Sequence, residues 1–308
     1  MPDSTARAKR RLDRLGTSQA VEIFIKILIG ISGWTAILVL ASIAIFLFLN
    51  GMRAMQEVGL INMLFGESWF PTSKNQQFGF LPAIVGSAWA TLVALTVAVP
   101  LGILSAVFIS EFAGKRIKDI AKSIIEFMAA IPSVVLGLIG LAILAPWVKE
   151  AFGTQTGLTA MTAGLMVGFM CLPTIISISE DALHAVPNEL RQGSAALGNT
   201  RWQTTFKVVI PAASSGIFAA VMLGLGRAIG ETMVVLMLAG NAGIIPPDPL
   251  MAVRTLPGTI ANEMGETVRG GLHFSALFVM GFFLFTVTFL INLAADVVLE
   301  RQRRRWRR

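Results

Sequence analysis

Long stretches without a charged residue dominate the chain. Five contain no Asp, Glu, Lys or Arg: Ile27–Asn50, Phe78–Ser110, Phe127–Val148, Ala151–Ser179 and Gly270–Ala295. A sixth, Pro211–Asn241, is interrupted only by Arg227 and Glu231. A helix needs about 20 mainly apolar residues to cross the hydrocarbon layer of a membrane. The pattern therefore predicts six transmembrane helices, at about 25–50, 78–110, 124–148, 157–179, 211–240 and 272–298.

Composition leads to the same class of protein. Apolar residues make up 55% of the 308 positions and charged residues only 14%, whereas soluble proteins carry about a quarter of charged residues. We therefore predict an all-α integral membrane protein whose membrane domain covers residues 23–300. Five or seven spans are the alternatives, because the stretch 78–110 is long and carries Pro82 and Pro100. Trp69, between the first two spans, suits an aromatic belt at the membrane interface.

The basic residues lie mainly on one side of the predicted membrane domain. They concentrate in the N-terminal segment 1–22, in the C-terminal tail 301–308 and in the loops after the second and fourth spans. Such an excess of Lys and Arg marks the cytoplasmic face, so we expect both termini in the cytoplasm. The tail follows a span directly, and anionic lipid is its expected partner rather than nucleic acid.

A polar segment, 187–211, separates the fourth and fifth spans on the expected cytoplasmic side. Pro187 suits the first turn of a helix, where its missing N–H costs nothing. Glu189 favours the positive end of the helix dipole, and Gly198 is well placed to end the helix. The pattern predicts a short helix in an internal loop.

One narrow face of this short helix carries Leu190, Ser194 and Leu197, at positions i, i+4 and i+7. Such a face is typical of a helix that lies in the groove of a partner. An ordinary loop helix that rests on the bilayer surface is the alternative.

Arg227 and Glu231 are the charged residues within the fifth span. A charge in mid-membrane costs about 2.5–3.5 kcal/mol, so the pair needs an explanation. At i and i+4 the two residues are expected on one helix face. Because guanidinium geometry matches oxyanions, we predict that Arg227 faces a translocation path and that Glu231 tempers its attraction for the anion. A buried ion pair that fixes helix packing is the alternative.

Enzymatic and metal chemistry have little support in the sequence. No Gly-x-x-x-x-Gly-Lys-Ser/Thr stretch occurs, so we expect no ATP hydrolysis by this chain itself. His184 and His273 are far apart along the chain, and we expect neither a metal site nor a bound cofactor.

The polar segment resembles the cytoplasmic signature of ABC importer permeases. Gly198 is followed by nine residues and then by Val208-Val209-Ile210-Pro211, which keeps the spacing of that signature. The opening triplet Gln192-Gly193-Ser194 departs from Glu-Ala-Ala at all three positions, but Glu189 and Arg191 supply charge nearby. The resemblance implies contact with a separate ATPase through Glu189, Leu190, Gln192, Gly193, Ser194, Leu197, Gly198 and Pro211.

Further motifs are similar to those of phosphate importer permeases of the PstC type. They are Val99–Phe112, Ile131–Leu138, Gly226–Met233, Ala239–Asn241, Thr259–Glu266 and Leu272–Phe278. Together they extend the resemblance over roughly residues 20–300.

This resemblance implies a type I ABC importer permease-like fold and a place in a bacterial inner membrane. It also implies three kinds of partner: a second permease (PstA type), a pair of ATPases (PstB type) that use the ATP, and a periplasmic phosphate-binding protein (PstS type). The expected function is ATP-driven import of inorganic phosphate. The alternatives are another oxyanion, such as molybdate or sulfate, or a secondary anion transporter.

Overall fold

The computed structural model describes the backbone of residues 3–306 and the side chains of residues 21–298 and 300. Its helices are α1 (Asp3–Glu57), α2 (Leu60–Phe65), α3 (Leu81–Val107), α4 (Lys115–Ala130), α5 (Ser133–Ile139), α6 (Ala145–Phe152), α7 (Ala160–His184), α8 (Asn188–Ala196), α9 (Arg201–Thr204), α10 (Ile210–Gly230), α11 (Met233–Leu238), α12 (Leu256–Glu263) and α13 (Leu272–Trp306). Three π-helical turns join some of them, at Phe108–Phe112, Gly140–Leu144 and Thr205–Val209. The strands β1 (Trp69–Phe70) and β2 (Gln77–Phe78) pair antiparallel.

The chain divides into two units, Met1–Asn50 and Gly51–Arg308. The first unit is the part of α1 up to Asn50. There, the hydroxyls of Ser32, Thr35 and Ser42 donate to backbone carbonyls one turn earlier, at 2.6–2.9 Å. These bonds satisfy polar side chains within the uncharged stretch 27–50 of this helix. The second unit contains the remaining helices, the hairpin and the hydrophobic clusters described below.

Six helical stretches of the described chain are long and apolar enough to cross a membrane. They are Val21–Glu57, Leu81–Phe112, Ser133–Phe152, Ala160–His184, Arg201–Gly230 and Leu272–Val298. The predicted all-α membrane class with six spans is therefore confirmed.

The predicted spans 124–148 and 211–240 are each interrupted by a break in the helix. The first break lies at Ile131–Pro132, between α4 and α5, and the second at Glu231–Thr232, between α10 and α11. Proline accounts for the first break, because it disfavours the helical conformation of the residue before it. The helices that follow the two breaks, α5 and α11, pack against each other.

The contact between α3 and α7 forms the centre of the second unit. Gly164 and Gly168 of α7 lie against Ala90 and Ala94 of α3. A Cβ atom added at Gly168 would lie 2.9 Å from the carbonyl oxygen of Ala94, and one at Gly164 would lie 2.7 Å from that of Ala90. Small residues allow two membrane helices to approach this closely. The main hydrophobic cluster then packs α5, α10 and α11 around the α3–α7 pair.

Polar groups meet at one end of the second unit, named here the hairpin end. Glu263 of α12 accepts a hydrogen bond from Arg254 and another, of 2.9 Å, from the indole of Trp69. Its other near neighbour is Nε2 of His273, at 2.8 Å. Trp69 is only 2% exposed, so its predicted place in an interfacial belt is wrong. The network ties β1, the loop before α12 and the start of α13 together.

Candidate functional site

The other end of the second unit, named the α8 end, carries the segment 187–211. Helix α8 begins directly after Pro187 and covers Asn188–Ala196. Gly198 has a φ of +82°, which glycine adopts without steric cost, and its N–H donates to the carbonyl of Ala195 at 2.9 Å. The predicted short helix and its glycine end are therefore present.

Most of the residues predicted to couple α8 to a partner are exposed. They are Glu189, Leu190, Gln192, Gly193, Leu197 and Gly198. Leu190 is 46% and Leu197 is 84% exposed. Ser194 is instead 5% exposed, and its hydroxyl lies 2.8 Å from Oγ1 of Thr204. The prediction that Ser194 shares the exposed face with the two leucines is wrong, because this serine contacts its own chain.

Helix α9 continues the exposed apolar surface beyond α8. Thr200 and Gln203 close a reciprocal capping box at its start, which fixes the N-terminus of the helix. Trp202 is 61% exposed, and its ring centroid lies 4.2 Å from that of Phe206. We name the exposed side chains of Leu190, Leu197 and Trp202 the α8–α9 surface. Pro211 is half-buried in the first turn of α10 and lies outside this surface.

Arg191 attaches α8 to the ends of two other helices. Its Nη2 atom lies 2.8 Å from Oε1 of Glu111, in the π-helical turn after α3. The same nitrogen donates to the carbonyl of Leu183, in the last turn of α7, at 2.8 Å. Its Nη1 atom donates to the carbonyl of Val186. Sequence reasoning noted the charge of Arg191 but missed Glu111, which is 80 positions away.

A second ion cluster at the α8 end joins α4 to α7. The Nζ atoms of Lys118 and Lys122 lie 2.7 and 2.9 Å from the two carboxylate oxygens of Glu180. The Glu180 side chain is only 4% exposed, and a buried carboxylate needs such partners. The hydrogen bond to Glu180 raises the pKa of Lys122 above its ordinary value. This cluster holds α4, the helix that precedes the third span, against the end of the fourth span.

Arg227 lies in the last turn of α10 and is exposed. Its Nη1 atom donates to Oγ1 of Thr174 on α7 at 3.1 Å. Thr174 directly follows Pro173, which lies inside α7. The guanidinium thus stands beside the fourth span with a neutral hydrogen-bond partner.

Glu231 follows the end of α10 and has extended backbone angles, with a ψ of 128°. The prediction that Arg227 and Glu231 share the face of one continuous helix is therefore wrong. Among the described side chains, the structure records no ion pair between them. One carboxylate oxygen of Glu231 instead accepts from the N–H of Val234, at 3.5 Å.

A cavity of about 800 Å³ lies between α3, α10 and α13. Its lining is mainly apolar, with Leu92, Leu95 and Phe283 among its members, and neither Arg227 nor Glu231 contributes to it. An anion in this cavity would find no charged partner. Within the described residues there is also no group of three or more His, Cys, Asp or Glu side chains that could hold a metal ion.

Solved structures with a similar fold are ABC transporters. A bacterial alginate ABC transporter in complex with an alginate pentasaccharide-bound periplasmic protein matches with a TM-score of 0.58 and 16% identity, over 96% of each chain. The MetNI methionine ABC transporter, in an inward-facing conformation, matches with a TM-score of 0.54 and 20% identity, over 73% of this chain and 94% of that chain. The fold is therefore that of type I ABC importer permeases.

Sequence comparison identifies the family. The model of the binding-protein-dependent transport system inner membrane component matches residues 98–308. The phosphate transport system permease protein PstC of Mesorhizobium japonicum is 33% identical, over 97% of this chain and 93% of that protein. The "Probable ABC transporter permease protein YqgH" of Bacillus subtilis is 38% identical, over 87% and 88%. The chain belongs to the family of binding-protein-dependent transport system inner membrane components and is a multi-pass membrane protein.

Proposed function

We propose that this chain is the PstC-type permease subunit of an ATP-driven importer of inorganic phosphate. The observation that carries the proposal is the similarity to proteins named PstC along almost the whole chain. It amounts to 33% identity over 97% of the chain for the Mesorhizobium japonicum protein and 31% over 86% for that of Haemophilus influenzae. Such a machine also needs a second permease of the PstA type and a periplasmic binding protein of the PstS type.

The α8–α9 surface is the proposed contact with a PstB-type ATPase. Leu197 and Trp202 expose most of their area, at 84% and 61%, and exposed apolar groups on a polar segment are typical of interaction sites. Around them lie the exposed polar residues Glu189 and Gln192. If the apolar side chains of α8 enter a groove of the ATPase, the movement of the ATPase would be transmitted to this helix. This surface then faces the cytoplasm, together with both chain termini.

Arg227 and Glu231 are the proposed charged groups of the phosphate path. Arg227 is exposed although it lies within the fifth span. A guanidinium forms strong, charge-assisted hydrogen bonds with phosphate oxygens. Glu231, beyond the helix break, prevents binding so tight that the ion cannot leave.

Phosphate uptake by cells tests the proposal. Cells that lack this chain are supplied with the gene or with an empty vector, and uptake of radiolabelled phosphate is measured at low external concentration. We expect restored uptake that stops when ATP is depleted and continues when the proton gradient is collapsed.

Two other results would contradict the proposal in different ways. Uptake restored for molybdate or sulfate but not for phosphate would indicate the same kind of ATP-driven importer with a different substrate. Uptake that follows the proton gradient alone would indicate a secondary transporter.

A further inference from the structure

We propose that Arg191 is a positioning residue that makes α8 move as one body with the ends of α3 and α7. When an ATPase displaces α8, the second and fourth spans would then move with it, because no flexible loop between them would absorb the displacement. The inference rests on the proposed function in one respect, namely that α8 receives its movement from an ATPase.

The contacts of Arg191 lead to separate segments of the chain. Its guanidinium binds the carboxylate of Glu111, after α3, and the carbonyls of Leu183 and Val186, at the end of α7. The Arg191 side chain is 22% exposed and that of Glu111 is 11% exposed. Because water has little access to this pair, salt screens it less than an ion pair on the open surface, and removal of one partner would leave the other charge buried and unpaired.

Arginine suits this position because of its shape. The guanidinium carries five N–H donors in a planar arrangement. Here it donates hydrogen bonds to a carboxylate and to two carbonyls that lie in different directions. A lysine carries the same charge at a single point and does not reproduce this geometry. The geometry of the contact, and not charge alone, therefore joins α8 to its neighbours.

Two further contacts extend the same body toward the fifth span. The buried hydroxyl of Ser194 lies 2.8 Å from that of Thr204, at the end of α9. Arg201, at the start of α9, donates to the carbonyl of Glu111 at 3.2 Å. Glu111 therefore bonds to α8 through its carboxylate and to α9 through its carbonyl.

The first experiment measures phosphate transported per ATP hydrolysed by the complete importer in lipid vesicles. The variants are Arg191→Gln, Glu111→Gln and the double variant. We expect each single variant to keep ATP hydrolysis while the transport ratio falls by at least about fivefold, the lower end of typical coupling between sites. The double variant should be no worse than the poorer single variant, because both changes remove the same contact.

A matched control is Glu57→Gln, which removes the carboxylate of another Arg–Glu pair. Nε of Arg53 lies 2.7 Å from Oε1 of Glu57, and the two side chains are 56% and 47% exposed. We expect Glu57→Gln to leave the ratio of phosphate transported to ATP hydrolysed unchanged. If Arg191→Gln does not assemble, Arg191→Lys takes its place and should lower the ratio as well. An unchanged ratio in assembled Arg191 and Glu111 variants would overturn the inference.

A second measurement does not depend on the transported ion. Spin labels at Ala195→Cys and Gly114→Cys, in a Cys171→Ser background, report the distance between α8 and the chain just after α3. We expect the same distance with and without ATP in the otherwise unchanged complex, and a nucleotide-dependent distance after Arg191→Gln. A distance that already changes with ATP while Arg191 is present would refute the rigid connection. If the labels behave as expected but phosphate is not transported, the proposed substrate fails and the inference stands.

Discussion

At the scale of single residues, Arg227 is the side chain whose position most needs an explanation. It lies within a span that is otherwise almost free of charge, and its recorded hydrogen bond goes to the neutral hydroxyl of Thr174. A lone charge in a membrane segment is costly unless it faces water or a partner of opposite charge. Because the helix ends before Glu231, an ion pair along one helix does not account for Arg227. In the proposed function, an anion that passes through the protein would supply the partner of opposite charge.

Arg227→Gln should therefore impair transport without preventing assembly. The change removes a charge-assisted hydrogen bond of about 1.5–3 kcal/mol, so phosphate uptake should fall roughly 10- to 100-fold. Arg227→Lys should retain part of the activity, because the charge remains while the planar fork is lost. Uptake rates at several phosphate concentrations, normalised to the amount of assembled complex, provide the measurement.

The control for this change is Arg116→Gln. Arg116 is also exposed, but it lies at the start of α4, far along the chain from the broken fifth span. Its loss should leave uptake within about twofold of the unchanged protein, as expected for surface substitutions. Wild-type uptake by Arg227→Gln would show that the arginine has only a structural role.

At the scale of helices, the most extensive contact within the described residues lies between α3 and α7. A Cβ atom at Gly168 would come within 2.9 Å of a backbone oxygen of Ala94 and 3.3 Å of its Cα atom. Neither atom belongs to a flexible side chain, so the helices themselves would have to separate. The main hydrophobic cluster contains Ala94 and its neighbours on both helices, so separation would disturb the frame that carries the candidate path.

Gly168→Leu should therefore destabilise the protein by at least about 1–3 kcal/mol, the usual cost of overpacking a core. We expect a lower melting temperature and less monodisperse protein in detergent, measured by thermal unfolding and size-exclusion chromatography. Gly114→Leu is the matched control, because nothing lies within 4 Å of a Cβ atom at that position. Equal melting temperatures for the two variants would contradict the importance of this contact.

Some of the helices and contacts could be predicted from the sequence, and others could not. The spans and α8 follow from local patterns: runs without charge, and a polar segment between Pro187 and Gly198. The break at Glu231 was missed because no proline marks it, and Gly230 just before it is a weak signal, since glycine is frequent within membrane helices. The bond between Arg191 and Glu111 was missed because their partnership depends on how α3, α7 and α8 pack. Contacts between distant segments leave little trace in a single sequence.

At the scale of the whole molecule, the two ends of the second unit differ in chemistry. The α8 end holds Lys118, Lys122 and Arg191, paired with Glu180 and Glu111. The hairpin end has its own buried network around Glu263. An excess of basic residues marks the cytoplasmic side of a membrane protein. We therefore predict that the α8 end lies in the cytoplasm and the hairpin end outside the membrane.

Cysteine labelling in whole cells checks this orientation, and the chain has a single native cysteine, Cys171. In a Cys171→Ser background, Leu197→Cys and Val268→Cys place thiols at two sites of similar exposure, 84% and 81%. In intact spheroplasts, which have lost the outer envelope, a membrane-impermeant maleimide should label Val268→Cys but not Leu197→Cys. After permeabilisation both should react, provided that the cells lack the ATPase that is expected to cover Leu197. Labelling of Leu197→Cys in intact spheroplasts would reverse the orientation, and an ATPase in the cytoplasm could then no longer reach the α8–α9 surface.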